Sequence, residues 1–561
     1  MCVAVLVGSG CAPATPATPG RPGDAAPASH AAEPAAPKSF VMAISAEPST
    51  LGPFQVGGTA HQGPVYQVLH DFLVVHSDQG VGIPHLVEDR PSQERGTWTV
   101  APDGTMDTTW RLRRGVKWHD GTELTARDVI FGWRVANDST VPWSRPALAR
   151  LISDIDATDD YTFVMRWKST FPFADNPEET TLDPLPAHIL EPVYRADVQS
   201  FVNSPYWTRE FVGLGPFRLT GWEPGSHLDL QAVDDHYLGR ARIGRITVRF
   251  VTDPNTMMAN FLSGAVDVNV PSTTLTELHW STLKEQWRDG EVIHNVDGTF
   301  SFVAANHRVS PFGDVRVRRA LAHAIDRTAV AEAQLVPRQL IADGMVLPGS
   351  DRARQFKDRV QVFDYDPARA VALLEEAGWR RGGDGLARGA DGQPLEFEYR
   401  ASRATEGQVI ADLWKAVGLT ANIVVPAANL TTDLEYQATV RGVESSGFGL
   451  GFGMWERRMH SSAIPTPQTR YAGTNRRYYS NPQLDALIDR YGTTLSEAER
   501  DRIEGDMLEI VSRDAVLAPL FVASRASVVR KGISGVKPMA GSPIVVANYY
   551  NTWNILEWDR T

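Results

Sequence analysis

The stretch WRLRRGVKWHDGTELTARDVIFGWR, Trp110 to Arg134, decides the fold reading. TWRLRR (109–114) alternates apolar and polar residues and reads as a strand. His119-Asp120-Gly121 reads as a turn, because Asp-Gly is a strong reversal signal. An acid/base pair made of His119 and Asp120 is the less favoured alternative. Thr125 followed three residues later by Asp128 resembles a capping box, and Val129, Ile130 and Trp133 form the apolar stripe of the helix it opens.

The same grammar continues outward. Asp366-Pro367 places a capping Asp before a first-turn Pro, and Gly378 closes that helix. Asn481-Pro482 repeats the device, and Ser496 with Glu499 forms another capping box. Asp314 can cap VRVRRALAHAIDR, whose Val317, Ala320, Leu321, Ala324 and Ile325 share one face. SFVMAIS (39–45), HLDLQAV (227–233), RITVRFV (245–251), LEFEYR (395–400) and ANIVVP (421–426) read as strands. Helices and strands interleave without a repeat of 20–50 residues, which favours an α/β or α+β body over a solenoid, bundle or sandwich.

Catalytic signatures are absent. The sequence has no GxSxG, no HExxH and no GxxxxGK[ST]. None of its 14 His lie within four positions of one another, so no helical two-His metal clip exists. GFGLGFG (447–453) lacks the spacing of a phosphate loop. The reading is therefore no catalytic residues, no metal and no cofactor. A length of 561 residues allows three or four domains of about 150 residues. Lys+Arg total 55 against 67 Asp+Glu, a net charge of −12, which argues against nucleic acid as a partner. No apolar run reaches the roughly 18 residues of a membrane span.

Both cysteines, Cys2 and Cys11, sit at the N-terminus, which excludes a disulfide framework in the folded body. MCVAVLVGSGC (1–11) has a short apolar run, then small residues, then Cys. It resembles the end of a bacterial lipoprotein signal, cut before a Cys that is then acylated. No Lys or Arg precedes Cys11, so the true start is expected upstream of Met1. Residues 12–38 are Pro/Ala-rich and without aromatics, which predicts a disordered tether.

Eight segments, in order, resemble the extracytoplasmic solute-binding proteins of the peptide/nickel class (family 5) of ATP-binding-cassette importers. The hallmark is 110–134, similar to LR-x-G-V-x-aromatic-x-D-G-T-x-L-T-A-x-DV. The others are EPSTLGP (47–53, with Gly52 for the usual Asp), DQGVGIPHLVE (78–88), VGLGPFRLTGWEPGSHLDL (212–230, with Leu214 for Thr), NTMMANFLSGAVDV (255–268), VRVRRALAHAIDRTAV (315–330), YDPARAVALLEEAGW (365–379) and YYSNPQLDALID (478–489).

The resemblance implies an α/β, two-lobed periplasmic-binding-protein-like fold of type II, a flytrap with an extra small domain. Lobe I is expected over 39–56, 211–296 and 519–561, the appended small domain over 57–210, and lobe II over 297–518. It implies a monomeric receptor in the cell envelope, held by a lipid on Cys11 at the outer face of the cytoplasmic membrane or free in the periplasm. The receptor would deliver a peptide or other small solute to membrane permease subunits. Alternatives are a flytrap for an oligosaccharide, metal chelate or opine, a signalling receptor, and a hydrolase with a repurposed cleft.

Pocket candidates follow from the same resemblance: Gly58 and Thr59 after the first strand, Trp143 in the small domain, Phe302 and Asn306 entering lobe II, and Met454, Trp455 and Glu456. Peptide-binding members commonly hold the ligand ammonium with an Asp in a segment like W-x-x-D-Y-x-D-P. Here GFGLGFGMWERRMHSSAIPTP (447–467) keeps Trp455 but has no Asp, and Glu456 is its only acid. A buried ammonium needs a counter-charge. The expectation leans to a modified, cyclic or non-peptide solute, with peptide as the class default and Glu456 as the substitute anchor if one exists.

Overall fold

Among the described residues, ten strands form the sheet that organises the molecule. From edge to edge they are Thr420–Val424, Glu396–Arg400, Val443–Gly449, Gly290–Ala305, Ala518–Arg530, Val268–Asn269, Ser39–Ile44, Arg245–Phe250, His227–Ala232 and Phe217–Glu223. The structure is a computed structural model describing residues 37–52, 63–78, 81–141, 148–176, 182–270, 275–451, 453–537 and 551–561. Cys11, the 1–11 segment, nearly all of the 12–38 tether, Gly58, Thr59 and Trp143 lie outside the described residues.

The two central strands are the longest, at 16 and 13 residues, and run antiparallel. Their register holds from Gly290↔Arg530 to Val296↔Ser524 and resumes at Phe300↔Val522, with a second slip between Ser301 and Phe302. Gly298 sits in the first break with φ of +70°, a conformation that costs glycine nothing. Such an irregularity bends and twists a strand pair. On one side of the break the sheet is completed by strands from residues 39–269, and on the other by strands from 396–449. The result is a two-lobed α/β fold with the long strands running through both lobes.

Each lobe packs apolar clusters on its part of the sheet. Around the first strands, Phe40, Met42, Phe217, Ile246, Val248 and Trp558 are buried together. In the other lobe the period-two alternation of strands separates two cores. Val303, Ala305 and Val443 face Leu321, Tyr399 and Trp414. Phe300, Phe302 and Phe448 face Trp455, Met507 and Leu508.

A separate four-stranded antiparallel sheet, in the order Trp98–Val100, Met106–Arg111, Thr162–Trp167, Ile152–Ala157, carries the Trp110–Arg134 stretch. The strand expected at 109–114 instead spans Met106–Arg111. Leu112 N still donates to Tyr161 O in register (2.7 Å), but there the chain turns to bridge Val87, and Arg113 N donates to Leu86 O (2.9 Å). Trp110, Trp118, Phe163 and Trp167 fill the core beneath it. The helix is Ala126–Asn137. Thr125 N donates to Asp128 Oδ2 (2.9 Å), and Asp128 Oδ1 accepts from Ala187 N (2.9 Å), so the capping Asp also fixes the next helix. His119 is a clamp: Nε2 donates to Gly215 O (2.9 Å) and Nδ1 accepts from Gly213 N (3.1 Å). Gly213 must be glycine because a Cβ there would lie 1.9 Å from Leu69 O.

Candidate functional site

An open cleft with about 60 Å³ of space for solvent-sized groups lies between the small four-stranded domain and the lobe built on 396–449. Phe173 comes from the first, and Met345, Leu450, Gly451, Met454 and Trp455 from the second. Arg500 crosses it, its Cζ 5.1 Å from the centre of the Phe173 ring, a cation–π arrangement. Its wall joins apolar side chains to five charged ones, Arg352, Glu497, Arg500, Asp501 and Glu504.

Trp455 opens a five-residue π-helical turn, Trp455–Met459. This wider turn is uncommon and recurs at functional sites. Its position is set from outside. Thr474 Oγ1 donates to Arg457 O, Asn475 Nδ2 donates to Met459 O (3.3 Å) and His460 O (3.1 Å), and Arg477 Nη2 donates to Arg458 O (2.9 Å). Asn475 is wholly buried and also donates to Tyr479 O (2.8 Å). The 474–477 loop is thus stitched carbonyl by carbonyl to the turn. Arg470, Tyr471 and Tyr478 around it have φ of +48°, +57° and +57°. Non-glycine residues adopt this region only when their surroundings enforce it.

Behind the turn, Phe302 and Phe448 pack with ring centres 4.9 Å apart. Arg477 lies 5.4 Å from the Phe302 ring centre and Arg458 5.7 Å from that of Phe448. Glu444 is on the same sheet face, opposite Ala304 in the register. Burial raises its carboxyl above the usual range, opposed by Arg477, Arg476, Arg400 and Arg458. Burial lowers Arg477 to about 10, with Glu444 opposing and Arg458 and Arg476 adding to the fall. Arg458 is lowered to about 10 by burial and then by Arg476 and Arg457. Both stay cationic at neutral pH. His307 donates its amide to Arg477 O (2.9 Å) and is pushed down to about 3 by burial, then by Arg318 and Arg477.

The residues singled out in the sequence are distributed unevenly. Met454 and Trp455 line the cleft. Phe302 is 1% exposed and belongs to the core beside it. Asn306 Nδ2 donates to Val440 O (2.7 Å) and Oδ1 accepts from Arg308 N (3.0 Å), so its amide holds a backbone corner. Glu456 is exposed. Sequence reasoning did not find Phe173, Arg500 or the Arg458–Arg476–Arg477–Glu444 group. The visible signal was two adjacent arginine pairs, 457–458 and 476–477, flanking the segment already chosen.

Residues 93–456 match the family described as Bacterial extracellular solute-binding proteins, family 5 Middle. This chain belongs to that family. The family 5 protein is 26% identical over 404 residues to the oligopeptide-binding protein AppA of Bacillus subtilis, covering 69% of this chain and 70% of AppA. It is 25% identical over 409 residues to the dipeptide-binding protein of Escherichia coli, covering 69% and 71%. Among solved structures it resembles NikZ from Campylobacter jejuni in complex with Ni(L-His), with a TM-score of 0.73 at 19% identity over 93% of this chain and 99% of NikZ. Proteins similar to this one are thus named for peptides or were solved with a metal chelate, and the shared fold does not by itself fix the solute. The family is one of extracellular binding proteins, and no helix among the described residues is long and apolar enough to cross a membrane.

Proposed function

We propose that this family 5 protein is the substrate-binding receptor of an ATP-binding-cassette importer, which captures a peptide or peptide-like small solute between its lobes and delivers it to a membrane permease. The observation that carries this is the cleft bounded by Phe173 on one side and by Met454 and Trp455 on the other. Large aromatics there bury solute surface, and the irregular strand pair at 297–299 is where the lobes would rotate on closure. The hinge supports the expected division: lobe I over 39–56, 211–296 and 519–561, the small domain over 57–210, and lobe II over 297–518. Peptide-binding relatives support the peptide class. The exposed position of Glu456 favours the second reading, a solute not held by its ammonium at this acid, such as a chelate or opine.

The receptor is proposed to act as a monomer without catalytic residues, tethered through an acylated Cys11 by the 12–38 segment. Detergent partition of the full-length protein that is lost in Cys11→Ser supports the anchor; unchanged partition removes it. Small-angle scattering tests the capture itself. Saturation with a mixed tripeptide pool should reduce the radius of gyration. Ligand at a hundredfold excess over Kd should also add about 2.7 kcal/mol of stability. Binding without compaction would contradict the flytrap.

A further inference from the structure

The ring of Phe173, from the four-stranded domain, lies against the guanidinium of Arg500, from the opposite side of the cleft, with Cζ 5.1 Å from the ring centre. Both residues are half-buried. Each is fixed by its own side. Phe173 belongs to a turn that follows the strand Thr162–Trp167. Phe171 in that turn is buried, stacks on Trp167 at 5.3 Å and donates its amide to Met106 Sδ (3.4 Å). The Phe173 ring stands edge-on to Phe171 at 5.9 Å, and Asn176 N donates to Phe173 O (3.0 Å). Asp175 ties the turn to Arg90, Oδ2 to Nη2 3.2 Å.

Arg500 lies at the start of the helix Glu497–Arg513, where Ser496 Oγ accepts from Glu499 N (3.4 Å). Its Nη1 donates back to Leu495 O (2.6 Å) and Thr494 O (3.0 Å). Carbonyls hold the guanidinium in place without neutralising it, and among the described residues it makes no ion pair within 4 Å. Its charge is therefore open to the negative face of the ring. Asp175 feels the same charge: burial raises its carboxyl above the usual range, opposed by Arg90 and more weakly by Arg500.

We propose that Phe173 and Arg500 form a latch that holds the two sides of the cleft together before a solute completes it. The proposal rests on the reading above that the lobes close on the solute, and it names what draws them together from the protein's own side. A contact made only when the two sides meet shifts the open–closed equilibrium by its own strength, whichever solute follows. A cation–π contact corresponds to about 2- to 30-fold in that equilibrium. Both side chains are already placed by their own domains, so little rotamer freedom is lost on closing. The same motion covers the apolar wall formed by Met345, Leu450, Met454 and Trp455 and removes it from water. The latch reads no chemical group of the solute. It raises the affinity for every solute by one factor.

Small-angle scattering of the full chain without solute tests the latch alone. The unmodified protein is compared with Phe173→Leu, Arg500→Met, the double variant and Phe173→Tyr. Leu and Met keep apolar bulk while removing the ring or the charge, and Tyr keeps the ring. Phe173→Leu and Arg500→Met should each raise the radius of gyration, through a 2- to 30-fold fall in the closed-to-open ratio of about the strength of one cation–π contact. The double variant should expand no further than either single one, because the two residues share one interaction. Phe173→Tyr should stay compact. Circular dichroism checks that each variant folds. Unchanged radii in Phe173→Leu and Arg500→Met would overturn the latch. So would expansion in Arg500→Met that Phe173→Leu does not reproduce, since Arg500 would then act only on its own 494–495 carbonyls. Calorimetry with the mixed tripeptide pool and with Ni(II)–histidine adds a second reading. Each probe that binds should weaken by the same factor in both single variants, and weakening confined to one probe would make the residue a solute contact and overturn the latch. If neither probe binds the unmodified protein, the solute class proposed above fails, and the scattering comparison decides the latch by itself.

Discussion

In the Trp110–Arg134 segment a buried His119 is engaged at both ring nitrogens, and the carboxylate of Asp128 accepts from two backbone amides. In the Trp455–Tyr479 segment two buried arginine Nε atoms have no partner, and one half-buried acid faces several cations. Both segments are rich in charged and aromatic residues. The first spends His119 and Asp128 on holding the scaffold together, with Trp118 Nε1 its one buried side-chain donor left without a partner among the described residues. The second leaves them unspent and uses neighbouring carbonyls to keep them in place. Strain and unmet hydrogen-bonding capacity concentrate where a protein meets its ligand, and satisfied networks mark the frame.

The largest effect that can break this comparison is on the frame. Trp110 is wholly buried, and its Nε1 donates to Thr108 Oγ1 (3.1 Å). Trp110→Ala should cost about 3–5 kcal/mol of stability in urea denaturation. Solute affinity of the folded fraction should stay within about twofold, since the substituted side chain touches nothing in the cleft. A large loss of affinity without a loss of stability would reverse the two roles.

The next effect is on acid stability. Burial lowers His70 to about 3 and His119 to about 4. Both folded values lie below the unfolded value of about 6.5, so the unfolded chain binds more protons as pH falls. This contribution to stability is complete above about pH 6.5 and declines from there towards pH 4. The urea midpoint should therefore fall over that range. His119→Gln removes one titrating ring at a cost of about 1–3 kcal/mol and should flatten the slope. An unchanged slope would mean that the ring does not titrate in the unfolding reaction as argued.

The smallest effect sharpens the site. Glu456 is exposed, and Glu456→Gln should change stability by no more than about 0.5 kcal/mol and leave affinity for the tripeptide pool unchanged. Tight tripeptide binding abolished by this change would make Glu456 the ammonium anchor.

The elements that were legible in the sequence share a property: each is fixed by residues close in the chain. Asp366-Pro367 opens Pro367–Glu376, and Asn481-Pro482 opens Pro482–Thr493. Each cap accepts from amides only two or three residues ahead. The strands at His227–Ala232 and Arg245–Phe250 carry their alternation openly. The TWRLRR strand was placed late because Leu112 and Arg113 turn to pair with the distant 86–87 segment. The site was less legible for the same reason. Trp455 and Met454 stood out by their place in the chain, but Arg477 reaches Arg458 across 19 positions, and Glu444 lies on a different strand. Phe173 meets Arg500 from another domain altogether. No local pattern encodes these meetings.

Hydrogen exchange read by mass spectrometry tests the division between frame and site most directly. The protein is compared alone and saturated with the tighter-binding probe of a mixed tripeptide pool and Ni(II)–histidine. Exchange should slow in 453–479 and around 296–300, where the site is completed and the lobes are joined, and stay unchanged in 110–134. Protection confined to 110–134, with 453–479 exchanging as before, would contradict the account.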